Sequence, residues 1–314
     1  MKMDDLSAAP SKVTTAQKAI RLAKHLFAPA ALIAIFYAAW TNRHYLTELF
    51  SSAEPFYLLT SIFTWIALHA IAPAFSVAGL AAFGYKASFN DAFYIHNLRL
   101  PAKYLPGGIW HTVAKGADYR ARGATGFQVA GYLVTENVML VIGASLLGSV
   151  MLLLSESAPA LTMIFALVIA GGLIALTLAP LLLRLYNKKT TKSFHALPYA
   201  LSAILVIVQW SLAATSFTLY LKAYPEINAM LPSTQTAGAY LVSWAVGYVA
   251  IFAPQGIGVA ESVSASLLSE AGGPGGFGGL IVMIATFRAI VFVGDIGAWL
   301  AAVATLHFTK KRAS

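Results

Sequence analysis

Four ionised side chains stand where the chain is otherwise apolar: Glu136, Glu261, Arg288 and Asp295. Glu136 lies in Tyr132-Leu133-Val134-Thr135-Glu136-Asn137, Glu261 in Gly258-Val259-Ala260-Glu261-Ser262, and Arg288 in Ala285-Thr286-Phe287-Arg288-Ala289-Ile290. In hydrocarbon an isolated charge is costly unless it pairs or meets water, so such residues mark ligand or ion pathways by default. The guanidinium suits a phosphate or carboxylate; the carboxylates suit a cationic headgroup or a coupling proton. A purely structural use is also open. Glu136 or Glu261 then forms an ion pair with Arg288, and Asp295, seven residues along the same helical face, pairs with Arg288 as well.

Two chain breaks add a second kind of chemistry. Leu105-Pro106-Gly107-Gly108-Ile109 and Ala253-Pro254-Gln255-Gly256-Ile257 share the pattern apolar-Pro-x-Gly-Ile. Proline lacks the backbone donor and glycine accepts unusual dihedrals, so each site unwinds a helix. Unwound backbone at membrane depth survives only where it is buried in protein or lines a wet cavity. A helix restarting at Ile109 or Ile257 points its free N–H groups and positive dipole end into that space, an arrangement that favours anions. The candidate binding residues are therefore Pro106, Gly107, Gly108, Pro254, Gly256 and Gly258 at the breaks, His111 at the head of the first restarting helix, and Glu136, Glu261 and Arg288. His69, beside Trp65 and Pro73, and His96 read as hydrogen-bonded structural histidines. No HxxxH spacing occurs, and no metal or cofactor is expected. With no nucleophile–base pair and no nucleotide motif, the chain does not read as an enzyme. The Gly272-Gly273-Pro274-Gly275-Gly276 run lacks the Lys-Ser/Thr of a phosphate loop and reads as a flexible connector.

The elements that carry these residues follow from composition. Hydrophobic residues make up 59% and charged residues 11% of the 314, against about a quarter charged in soluble domains. The apolar residues come in blocks, Leu26–Trp40, Phe56–Phe83 and Leu161–Leu183, the last two without a formal charge. A spanning helix needs roughly 20 such residues. The chain reads as an all-α integral membrane protein with six full transmembrane helices at about 22–40, 56–82, 126–154, 159–184, 197–221 and 278–307. Two further apolar stretches, 89–122 and 237–271, contain the breaks and read as re-entrant hairpins or pairs of short spans. A single membrane domain, 22–307, lies between short tails, 1–21 and 308–314. The basic start followed by an apolar block resembles a signal peptide, but no small-residue cleavage site follows Trp40, so an uncleaved span is expected. With no cysteine, disulfides and thiolate chemistry are excluded.

Charge sets the topology. Eighteen of the 21 Lys and Arg residues lie in the N-terminal tail, 84–122, 184–192 and the C-terminal tail. The positive-inside rule then puts both termini in the cytoplasm. Because basic residues sit at span ends, the formal charge of +9 points to topology and anionic lipid, not nucleic acid. Lys103, Lys115, Arg120 and Arg122 read as cytoplasmic headgroup anchors. Each half of the chain, about 22–154 and 159–307, runs span, span, broken hairpin, span, and the halves start on opposite sides. Paired broken segments in oppositely oriented halves are the sequence mark of an inverted-repeat transporter.

Those motifs also carry a family resemblance that covers nearly the whole chain. Leu105-Pro106-Gly107-Gly108-Ile109-Trp110 resembles the PGK-I/L-W segment of the lysylphosphatidylglycerol synthetase transmembrane family. Pro254-Gln255-Gly256-Ile257-Gly258-Val259-Ala260-Glu261 is similar to its P-x-G-[LI]-G-V-x-E motif, and Glu136 and Arg288 fall where that family places a membrane glutamate and an arginine. Gly108 and Gln255 depart from the pattern, Gln255 replacing the usual glycine. The resemblance implies a stand-alone flippase unit without the aminoacyl transferase domain, in the bacterial plasma (inner) membrane. Its substrate would be an anionic or aminoacylated phospholipid headgroup or a polyprenyl-phosphate-linked glycolipid, and its partners membrane lipids, with a homo-oligomer or a lipid-modifying enzyme possible. An intramembrane lipid-phosphate enzyme and a non-transporting scaffold for envelope-lipid enzymes are the competing expectations.

Overall fold

A computed structural model describes residues 30, 32–104, 110–156, 158–190, 194–250, 252–269 and 276–313. All regular elements among the described residues are helical. In chain order they are α1 (Leu32–Thr41), α2 (Arg43–Ser51), α3 (Pro55–Ala82), α4 (Phe89–Leu98), α5 (Trp110–Ala121), α6 (Gly126–Leu154), α7 (Thr162–Thr190), α8 (Ala196–Lys222), α9 (Pro225–Met230), α10 (Ser233–Val249), α11 (Val259–Ser269) and α12 (Gly276–Ala313). Short 3₁₀ turns occupy Leu100–Tyr104, Pro159–Leu161 and Pro254–Gly256. Five helices are long and apolar enough to cross a membrane: α3, α6, α7, α8 and α12. The chain is thus a multi-pass helical membrane protein. Of the expected first span, 22–40, residues 22–29 and 31 lie outside the described residues, and the rest is residue 30 and most of α1.

Local sequence sets the helix starts. Pro55 opens α3, where its missing N–H is no loss. Thr125 and Gln128 form a reciprocal capping box before α6, at 3.3 and 2.8 Å. Ser88 caps α4 by accepting from the Asp91 N–H at 3.0 Å. The interior Pro73 of α3 cannot donate to the carbonyl four residues back, which belongs to His69. Asn97 of α4 donates its side-chain amide to that carbonyl at 3.3 Å, so the orphan is satisfied inside the bundle.

The broadest helix contact joins α3 to α8. The pair is antiparallel and tied at both ends: the Glu54 N–H donates to the Ala223 carbonyl at 2.7 Å, and the His195 N–H donates to the Ala82 carbonyl at 2.8 Å. Between the ends, the Ser61 hydroxyl donates to the Ser216 carbonyl and the Ser216 hydroxyl to the Ser61 carbonyl, at 2.7 and 2.8 Å. Around this pair many of the contacts come in couples, the α6–α7 contact excepted. Helix α4 packs on α3 and α12, and α10 packs on α8 and α6; α5 lies on α6, and α11 on α12. Gly148 and Gly238 let α6 and α10 approach so closely that a Cβ on either would stand about 3 Å from the other's carbonyl oxygen. Helices α4, α5 and α11 have 10, 12 and 11 residues. They reach about 15–18 Å, half of a hydrocarbon core of about 30 Å.

Candidate functional site

The second break is a true chain reversal. After α10 the backbone enters the turn Pro254–Gly256, with Gln255 (φ 53°), Gly256 (φ 68°) and Gly258 (φ 83°) all left-handed. A Cβ on Gly256 would sit 2.9 Å from the Gly247 backbone, so the turn is folded hard against α10. A left-handed Gln255 costs roughly 1–2 kcal/mol that glycine would avoid. Its bonds hold it there. Its side-chain amide donates to the Lys103 carbonyl at 2.7 Å, and its own carbonyl accepts from the Arg288 guanidinium at 3.3 and 3.4 Å. One glutamine therefore joins the second break to the turn that precedes the first.

Helix α11 then restarts. Its leading N–H, on Gly258, donates to Glu261 Oε2 at 2.7 Å, one half of a capping box. Glu261 Oε1 accepts from Arg288 Nε at 2.5 Å. Glu261 is 2% exposed, whereas Arg288 is 39% exposed. The helix end expected to lie open for an anion is thus capped by the protein's own carboxylate. The available positive charge is the outer side of Arg288.

Asp295 does not pair with Arg288 as its spacing suggested. It is fully buried and saturated by four donors from other elements. Trp65 Nε1 and His69 Nε2 of α3 bond Oδ1 at 2.8 and 2.7 Å. The Tyr104 hydroxyl donates to Oδ2 at 2.6 Å, and Lys103 forms an ion pair with the same oxygen. Lys103 is accordingly not a free headgroup anchor; it is 30% exposed and held by a buried acid, as Arg288 is. Lys115 departs further from its expected role. It is 1% exposed and donates to Glu136 Oε1 at 2.6 Å, and Tyr132 donates to the same oxygen at 2.9 Å. Glu136 therefore pairs with Lys115 and not with Arg288. Each break is followed by a short helix whose charge meets the next long helix: Lys115 with Glu136, and, with signs exchanged, Glu261 with Arg288.

Of the predicted residues, Pro254, Gly256, Gly258, Glu261 and Arg288 form one cluster, and Glu136 lies apart with Lys115. Pro106, Gly107 and Gly108 lie outside the described residues. His111 opens α5 and meets the His96 ring edge-on, centroids 5.7 Å apart. A cleft of about 90 Å³ lies between α4 and α5, lined by Tyr94, Ile95, Leu98, Arg99, Asp118 and Arg122, and includes none of these residues. At its rim Arg99 makes a two-pronged bond to Asp118 at 2.7 and 2.9 Å. Comparison with protein-family models, curated proteins and solved structures found no match.

Sequence reasoning missed Lys103, Tyr104, Gln255, His69 and His96 as members of this centre. The signal available was weak: Lys103 lies two residues before a break, and His69 four residues before a mid-span proline.

Proposed function

We propose that this chain is a membrane lipid transporter, a flippase for an anionic or aminoacylated phospholipid headgroup. One observation carries the reading. Lys103 and Arg288, each backed by a buried carboxylate, are linked through Gln255, which joins the second break to the turn before the first. A buried acid holds each cation in position without covering it. The two outward cations suit a phosphate, which arginine takes in a two-pronged grip. The acyl chains remain in the bilayer while the headgroup passes along the seam between the halves.

The inverted repeat, with six spans and both termini cytoplasmic, belongs to this proposal. Support comes from the paired packing. Exchanging α3 with α8, α4 with α10, α5 with α11 and α6 with α12 returns the same set of contacts among these eight helices. The two end ties of α3 and α8 also exchange, Glu54–Ala223 with His195–Ala82. Rocking one half against the other about such an axis gives alternating access. The charge-swapped ion pairs make the two halves inequivalent, and the cationic side of the junction is the one built for the phosphate.

The test is headgroup transport in vesicles reconstituted with the full chain, with labelled phosphatidylglycerol, lysyl-phosphatidylglycerol and a polyprenyl phosphate in separate arms. Arg288→Ala and Glu261→Gln should lower transport of the true substrate by about ten- to a hundredfold, the loss of a charged hydrogen bond of about 1.5–3 kcal/mol. Wild-type rates in both variants would defeat the reading. Product formation from lipid by the pure chain would favour an enzyme instead.

A further inference from the structure

Three buried groups form a continuous hydrogen-bonded line, of which the headgroup seat uses only Asp295, as the acid behind Lys103. Asp295 Oδ1 meets His69 Nε2 at 2.7 Å, and His69 Nδ1 meets His96 Nε2 at 3.0 Å. All three side chains are more than nine-tenths buried, on α12, α3 and α4. The chemistry fixes the tautomers. Asp295, ion-paired to Lys103, is an acceptor, so His69 donates from Nε2. A neutral His69 then carries a bare Nδ1, which accepts from His96 Nε2–H. His96 is left with a bare Nδ1, and that buried nitrogen has no hydrogen-bond partner among the described residues. Beyond it stands His111 of α5, its ring 5.7 Å from that of His96 and its Nε2 likewise buried and unpartnered. One turn further along α5, Lys115 is paired with Glu136.

We propose that His111, His96, His69 and Asp295 form a proton relay inside the membrane, with the Lys115–Glu136 pair at one end and the Lys103–Asp295 pair at the other. A hydronium ion arriving from the His111 side gives up one proton, its O–H bond breaking as an N–H bond forms at His96 Nδ1. The His96 Nε2–H bond breaks as a new one forms at His69 Nδ1. The His69 Nε2–H bond breaks as an O–H bond forms at Asp295 Oδ1. One proton enters and one carboxylate is neutralised, with both rings neutral and their tautomers exchanged; the cycle closes when part-exposed Lys103 gives a proton to water and takes the one on Asp295, and the two rings turn back to their starting tautomers. Buried Asp and His chains at this depth are the material of proton pathways in pumps and transporters. The groups facing the line are Lys103 and Tyr104 from the turn before the first break, Trp65 from α3 and Lys115 from α5.

The terminus of the relay gives it a consequence. Neutral Asp295 no longer holds Lys103, whose carbonyl is the one that Gln255 grips. Proton arrival therefore loosens the tie between the breaks and frees a cation. That coupling to headgroup movement rests on the transporter reading; the relay itself does not.

The test uses the full chain in vesicles of phosphatidylglycerol and phosphatidylcholine that enclose a pH-sensitive dye, under an imposed potassium-diffusion potential. Proton entry and labelled-lipid movement are recorded in the same preparation. Wild type and the control His44→Gln, an exposed histidine of α2, should admit protons at least about tenfold faster than protein-free vesicles, as expected of a membrane-embedded relay. His96→Gln and His69→Gln should fall to the protein-free rate. Wild-type entry equal to that of protein-free vesicles overturns the relay, and so do wild-type rates in both glutamine variants. If a variant fails to fold, the comparison of wild type with protein-free vesicles still decides. Lipid movement without proton entry sinks the relay and leaves the transporter; proton entry without lipid movement does the reverse.

Discussion

Lys115 and Glu136 illustrate what a single buried charge demands. Lys115 is nearly inaccessible, and its one carboxylate partner lies 2.6 Å away. Removing either partner alone strands the other in a low-dielectric interior. Lys115→Met should therefore destabilise the folded chain by about 3–5 kcal/mol, and the double change Lys115→Met/Glu136→Leu should recover most of that loss. Denaturant unfolding in detergent of the four combinations checks both statements. Asp91 is a milder case. The bond from the Ser88 hydroxyl, and then that from Arg122, hold its carboxyl below the ordinary carboxylate range. A depressed folded value contributes stability that is complete above the unfolded carboxylate pKa and is lost as pH falls through the folded one. Thermal melts between neutral and acid pH should show this loss, small because Asp91 is half-exposed, and Asp91→Asn should remove that part of the slope. Legibility in the sequence differed by residue type at this scale. Glu261 and Arg288 announced themselves because a charge among apolar neighbours has few innocent explanations. Lys103 and Lys115 did not, since a basic residue near a span end reads as a headgroup anchor until the fold brings a buried acid to it. Asp295 was given a partner on its own helix because local spacing is all a sequence displays. Its actual donors come from residues 65, 69, 103 and 104, nearly two hundred positions away or more.

Helix α3 shows the same division among elements. Its length, its apolar character and its proline are all visible in the sequence, but the use of the proline is not. Pro73 frees the His69 carbonyl, and Asn97 takes that carbonyl up. Asn97→Ala should cost about 1–3 kcal/mol, the penalty for an unmet buried polar group. In a Pro73→Ala background, where the helix supplies its own donor, the same change should cost less. A double-mutant cycle on thermal stability measures the difference, and equal costs in both backgrounds would contradict the assignment. At the second break the sequence showed a turn but not its tightness. Gly256 is left-handed and pressed on Gly247, so Gly256→Ala should be more damaging than Gln255→Gly. The latter removes strain of roughly 1–2 kcal/mol while losing the bridge to Lys103. Unfolding midpoints rank the two.

At the scale of the molecule, the five long helices were legible from apolar length, because the bilayer permits only closed backbone hydrogen bonding. The arrangement of helices about the α3–α8 pair was not, since packing depends on which small residues face one another. The proposed topology has 1–21 and 308–314 in the cytoplasm and 41–55 outside. Single cysteines introduced into this cysteine-free sequence should report that topology without background. An impermeant maleimide applied to whole cells should label position 44 and spare position 310. The central claim is that the junction of the two breaks is a cationic seat for a lipid phosphate. Native mass spectrometry of the chain purified in mild detergent tests it most directly, by weighing the lipid retained on wild type, Lys103→Ala and Arg288→Ala. The account predicts a phosphate-bearing lipid on wild type that is lost from both variants while each remains folded; equal retention of that lipid by all three would contradict it.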